Sequence, residues 1–166
     1  MKSFKRFIND MRFKDLHNNP KFRKWFGMSK VTENGEPLVV FNGSSAGKTV
    51  FRRRSESLSG FYFSVFENVA EFYADEAGGG DVYPCYLKIE HPIYLPHVSK
   101  KDQHNSGLID EERYAALKKE HGYFDGVIGY SLADKEPVEY VVFDPKQIKH
   151  IENNGDFNPS ADNIYK

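Results

Sequence analysis

Three residues at strand ends carry the chemistry this sequence can offer. In Leu38-Val39-Val40-Phe41-Asn42, two-residue alternation ends an apolar row, Leu38 and Val40, on the amide of Asn42. In Gly60-Phe61-Tyr62-Phe63-Ser64 the same alternation groups Tyr62 with Gly60 and Ser64. In the apolar run from Val138 to Phe143, Glu139 shares a face with Val141 and Phe143, so a carboxylate heads a hydrophobic stripe. Singly, each has a plain structural explanation: asparagine before glycine serves a turn, a strand tyrosine packs half-buried, and a glutamate at a strand's start is solvated. Their combination in one chain is what asks for a site.

A competing chemistry is suggested by VFNGSSAGKT, residues 40–49, whose last letters resemble a phosphate loop. Such a loop needs four residues between its first glycine and the Gly-Lys-Thr, so that backbone amides wrap a phosphate before a helix begins. Only Ser44, Ser45 and Ala46 separate Gly43 from Gly47, and Val50-Phe51-Arg52-Arg53-Arg54-Ser55 has no helical apolar face. The letters are read as a mobile Gly/Ser loop with an exposed lysine.

The elements that must position these residues are legible in outline. Phe4, Phe7, Ile8 and Met11 recur at helical spacing, Asn18-Asn19-Pro20 breaks the pattern, and a short second helix covers residues 22–26. Asn34-Gly35 is a turn, and strands are expected over residues 37–41, 60–64, 82–89, 124–129, 138–143 and 147–151. Ser64 and Glu67 form a capping box opening a helix with Val65, Val69 and Phe72 on its apolar face, which Gly78-Gly79-Gly80 stops. A second such helix covers residues 110–121. The stretch with Pro92, Pro96 and residues 99–107 reads as a long connection, and residues 153–166 as a tail that is poorly ordered unless docked. With no βα alternation and no repeat, the class is α+β with mainly antiparallel strands.

Composition bounds the function. The 166 residues carry a net charge of −1, divided into +7 over residues 1–30 and −8 over the rest. This balance argues against an electrostatic grip on nucleic acid by the whole body; the basic arm is read first as a solvated helix face, with a nucleic-acid or acidic-protein partner left open. The single cysteine, Cys85, permits neither an internal disulfide nor a cysteine-based metal cluster, which fits a reducing compartment. No run is long enough to cross a bilayer, and the expected location is cytoplasmic.

Taken together, Asn42-Gly43-Ser44, then Gly60-Phe61-Tyr62-Phe63 with Ala70-Glu71-Phe72-Tyr73, then Glu139-Tyr140-Val141-Val142-Phe143-Asp144 resemble the three ordered motifs of ADP-ribosyltransferases of the diphtheria-toxin and poly(ADP-ribose) polymerase type. Trp25-Phe26-Gly27, Gly35-Glu36-Pro37-Leu38-Val39-Val40 and the tail Asn153-Asn154-Gly155-Asp156-Phe157-Asn158-Pro159 resemble the modules of this type in bacteriophage polyvalent proteins. The resemblance implies a split, mainly antiparallel β-sandwich, with residues 1–30 a helical segment, 31–152 the catalytic domain and 153–166 a tail.

It also implies NAD as co-substrate with no metal, and transfer of a single ADP-ribose to a macromolecular acceptor, protein favoured over nucleic acid. The role implied is that of a phage or toxin effector, acting in the host cytosol if delivered by a phage. Glu139, Tyr62 and Asn42 would be catalytic. Gly43, Ser44, Tyr73, Phe63 and one of Arg52 to Arg54, with Arg52 and Arg54 the candidates, would hold the dinucleotide, its nicotinamide between the Tyr62 and Tyr73 rings. The family's first-motif histidine is Asn42 here, whose amide also offers a donor and an acceptor. Arginine-specific members carry Glu or Gln two residues before the catalytic glutamate; Pro137 stands there, which disfavours arginine as acceptor. The alternatives are an NAD-binding pseudoenzyme and a small nuclease-type toxin with its basic arm on RNA.

Overall fold

Asn34 and Gly35 both take left-handed backbone, at φ 51° and 80°, and close a two-residue hairpin between β1 (Thr32–Glu33) and β2 (Glu36–Pro37). A tight hairpin turn of this hand requires positive φ at both central positions, which Asn-Gly supplies with least strain. The structure, a computed structural model, describes residues 11–52, 60–97 and 109–166. Upstream of the hairpin, α1 (Met11–Asn18) and α2 (Pro20–Phe26) are separated at Asn19, whose side chain accepts from the Lys21 N–H while Pro20 occupies the first helical position.

Seven strands follow in one sheet: β3 (Val40–Ser44), β4 (Phe61–Ser64), β5 (Asp81–Leu87), β6 (Pro92–His97), β7 (Gly126–Ser131), β8 (Pro137–Val142) and β9 (Ile148–His150). Their order is β6-β7-β8-β4-β3-β5-β9, antiparallel throughout except β6 with β7. The α+β class and the mainly antiparallel sheet agree with the sequence reading. The parallel pair is the exception, made possible because α4 (Glu111–His121) lies between β6 and β7 in the chain and carries it back.

Two layers cover the sheet. On one face Val40, Phe51, Phe63, Cys85, Tyr140, Val142 and their neighbours form a fully buried core with Val31 and Ile164. On the other, α2 covers Tyr86 through Phe22, Trp25 and Phe26, α3 (Glu67–Glu76) covers Phe41 through Ala70, and α4 covers Val127 and Val141 through Leu117. Between α3 and α4 this second face is left partly open, since Tyr62 and Ser64 of β4 and Glu139 of β8 are only half-buried.

Four local expectations are corrected. The strand expected over residues 37–41 begins at Val40 and runs through Ser44, because Pro37 belongs to the hairpin instead. Ser64 does not cap α3: its Oγ accepts from Phe66 N–H, and the cap position, Phe66, makes no side-chain cap bond. The helix also turns inward on Ala70 and Ala74, leaving Val69 and Phe72 exposed, because β3 approaches too closely for a larger side chain. The long connection contains β6, an edge strand, the position in a sheet that tolerates Pro92 and Pro96.

Residues 153–166 are docked. Phe157 inserts among Phe22, Trp25 and Tyr86, Ile164 joins the opposite core, and the buried Lys149 ammonium donates to the carbonyls of Ala161, Asn163 and Lys166 at 2.9, 3.4 and 2.6 Å. Residues 1–10, the arginines at 53 and 54, and residues 99–107 of the long connection lie outside the described residues.

Candidate functional site

The floor of the opening is fixed by strand register. All four residues of β4 pair with β8, which sets Ser64 opposite Glu139 and Tyr62 opposite Val141. Toward β3 a single pair, Phe41 with Ser64, joins the strands. Opposed residues share a face, so Tyr62, Ser64, Glu139 and Phe41 all lie on the α3–α4 side. With neighbouring strands about 4.8 Å apart, Glu139 and Phe41 are about 10 Å apart across Ser64; Asn42, next in β3 and opposite the buried Tyr83, lies by alternation on the other face, as does Ser44.

Where the β3–β4 ladder stops, the Asn42 side chain replaces it. Its Nδ2 donates to the Tyr62 carbonyl at 2.8 Å, and its Oδ1 accepts from Ser44 Oγ at 2.9 Å. The amide thus ties β3 to β4 and orients the Ser44 hydroxyl. One amide hydrogen and one carbonyl lone pair are left for other partners.

Glu139 is the carboxylate at the centre. Its side chain is 25% exposed, and burial pushes its pKa up to about 7, so the ionised form is held against a desolvation cost. His97 of β6 faces it, with Nε2 3.7 Å from Glu139 Oε2. That separation is too long for a hydrogen bond. Burial raises the carboxyl to about 7 and lowers the imidazole from its ordinary value, which reverses their usual order of proton affinity, so a formed ion pair is not the favoured state at neutral pH. Gly129 on β7, paired with Glu139, lies between them: a Cβ there would sit 3.4 Å from Glu139 Cβ and 3.6 Å from His97 Cβ. No side chain of β7 stands between the two residues, which face each other from strands separated by β7. Sequence reading missed His97. The signal was present in Ile93, Leu95 and His97 at alternate positions, obscured by the two prolines.

The other sequence-derived candidates divide. The Tyr62 ring packs with the Val127, Val141 and Leu117 cluster beneath α4. Its hydroxyl oxygen accepts from the Ile109 N–H at 2.6 Å, and its pKa is pushed up to about 12, chiefly by burial, with Glu139 contributing in the same direction and the Ile109 N–H opposing. Tyr73 stands on α3, 45% exposed, edge-on to Phe72 at 5.5 Å. Gly43 is required by packing: a Cβ there would run into the backbone of Ala70 and Ala74. Ser44 is placed by Asn42. Phe63, 1% exposed, points into the core on the opposite face, against Phe51 at 5.5 Å, where no ligand in the opening can reach it. Arg52 is exposed and lines a cavity of about 590 Å³ with Phe61, Phe143, Asp144 and Lys146, at the far end of β4 and β8 from Glu139. Arg54 lies outside the described residues.

The phosphate-loop alternative fails on geometry. The Gly47 N–H donates to Asp81 and the Lys48 N–H to the Tyr83 hydroxyl, so these amides are committed within the protein, and Val50 enters a β-bridge with Asn163 where a helix should start. Among the described residues, no three His, Cys, Asp or Glu side chains are grouped to hold a metal ion, and no helix is long and apolar enough to cross a membrane. Compared with known proteins, residues 32–157 match the family model for the ADP-ribosyltransferase in polyvalent proteins. No curated protein matches the chain.

Proposed function

Because the chain belongs to the ADP-ribosyltransferases of polyvalent proteins, we propose that it cleaves NAD at the nicotinamide glycosidic bond and passes one ADP-ribose to a macromolecular acceptor, with protein favoured over nucleic acid. The single observation that carries this reading is the position of Glu139, a mostly buried carboxylate of raised proton affinity on the floor between α3 and α4.

The residues present suit the substrate. Breaking the bond between the nicotinamide nitrogen and ribose C1′ leaves an electron-poor ribosyl carbon, while nicotinamide departs neutral and needs no acid. An ionised Glu139 accepts from the ribose 2′-hydroxyl and is attracted to positive charge that exists only as the bond breaks, which favours the transition state over the bound substrate. Desolvation strengthens that attraction because little water screens it. The exposed Tyr73 ring supplies a stacking contact to the nicotinamide half, and the Asn42 amide and Ser44 hydroxyl contribute only where β3 and β4 part, by reaching through that gap. Gly43 offers its backbone groups there, its side-chain direction being occupied by α3. A phage or toxin-like effector role accords with a polyvalent-protein family, and Pro137, two residues before the glutamate, argues against arginine as acceptor.

Labelled NAD added to host lysate with the protein tests the reading. Label transferred to macromolecules by the wild type, lost in Glu139→Gln, and removed by protease but not by nuclease is the expected result. A second reading, an NAD-binding module without turnover, is favoured by Asn42, whose amide is already engaged at both ends within the protein. NAD binding without nicotinamide release in the same lysate would select it.

A further inference from the structure

We propose that His97 is a catalytic residue of this site: it takes the proton from a neutral hydroxyl acceptor, water included, as that oxygen bonds to ribose C1′. The inference rests on the NAD-cleaving reading above.

The stereochemistry of the substrate places the acceptor. In NAD the nicotinamide and the 2′-hydroxyl project from opposite faces of the ribose ring, and a nucleophile displacing nicotinamide in line arrives on the 2′-hydroxyl face. A carboxylate holding that hydroxyl therefore stands on the acceptor's side. His97 Nε2 is 3.7 Å from that carboxylate, on the same face of the sheet, across the bare Cα of Gly129. The imidazole side chain is 35% exposed, so the nitrogen that faces the acceptor path also has a route to solvent.

Atoms and charges balance. The acceptor oxygen forms a bond to C1′, the C1′–N bond breaks with its electron pair passing to nicotinamide, and the acceptor's proton moves to His97 Nε2 and from there to water. A hydroxyl adding to an electron-poor carbon becomes a strongly acidic oxonium, so a weak base suffices. Burial keeps His97 neutral at physiological pH, the form that can accept. A carboxylate acceptor arrives without a proton and makes no use of His97, which sets hydroxyl acceptors apart. The other groups near Glu139 are poorly placed to take that proton, since Tyr62 has its oxygen on Ile109 N–H and Ser64 has its Oγ on Phe66 N–H.

Water is the acceptor used in the test, with nicotinamide release from NAD as the readout for wild type, Glu139→Gln, His97→Ala and His97→Gln. The expected result is a loss of kcat of about 100-fold in both His97 variants, a KM for NAD little changed, and recovery of much of the His97→Ala rate on adding free imidazole. Imidazole should not rescue Glu139→Gln. Wild-type rates in both His97 variants overturn the inference and leave the reading standing, as does a loss that imidazole does not relieve. No nicotinamide release by the wild type overturns both.

Discussion

At the scale of single residues, one carboxylate carries both the function and a cost in stability. Glu139 titrates near 7 in the folded protein against 4.5 for the free side chain. Between those values the folded state holds more protons than the unfolded one, so this group's contribution to stability falls as pH rises from about 4.5 to 7 and is lowest above 7. Glu139→Gln is therefore expected to stabilise the protein at pH 8, by on the order of 2 kcal/mol, and to change little at pH 4.5. Denaturant melts at the two pH values measure this, and equal effects at both would show that the carboxyl is not desolvated. The same ionisation predicts that NAD turnover falls as pH drops below about 7, since only the carboxylate stabilises a cation. Asn42 illustrates a side chain whose type is legible in the sequence but whose work is not. Alternation groups it with apolar neighbours, whereas it bridges the end of the β3–β4 ladder.

At the scale of elements, α3 and β3 are fitted to each other through the absence of side chains. Gly43 lies under the backbone of Ala70 and Ala74, and Gly80 under the Ser44 carbonyl. Gly43→Ala should cost about 2 kcal/mol or more by overpacking and displace α3 with Tyr73. A thermal melt reads the first effect. A weaker NAD affinity, measured by titration with Glu139 intact, reads the second, and an unchanged melting temperature would contradict the close packing of helix on strand. The same closeness explains why the apolar pattern of residues 65–72 misleads. It reads as a buried stripe, yet only alanines fit beneath the helix, and Phe66, Val69 and Phe72 face out. The proline-bearing strand β6 is unreadable for a related reason. Proline argues against a central strand, and nothing in local sequence reveals that this strand lies at an edge.

At the scale of the whole molecule, both ends of the described chain are tied to one sheet. Phe157 sits at 5.0 Å from Phe22 and 6.1 Å from Trp25, so the tail and α2 share a single aromatic cluster over Tyr86. Phe157→Ala should destabilise by about 3–4 kcal/mol, in a single cooperative transition that fluorescence of Trp25 and far-ultraviolet circular dichroism report together. Separate transitions would mean that the tail is an independent unit. Lys149 fastens the other side of the tail. Its ammonium is satisfied by three carbonyls while burial lowers its pKa to about 8. The folded state therefore binds fewer protons than the unfolded one between about 8 and 10.5, and this residue's contribution to stability rises with pH across that window.

Sequence alone determined the class, most strand and helix positions, the Asn34-Gly35 turn and the ordered motifs that place the chain in its family, because these depend on short-range spacing and backbone preference. Tertiary structure alone decided that Phe63 faces the core, that the Gly47 and Lys48 amides are committed internally, and that His97 meets Glu139. Each of those depends on which strands become neighbours and in what register, a choice made by burial of the whole apolar surface at once and written in no local stretch of the chain.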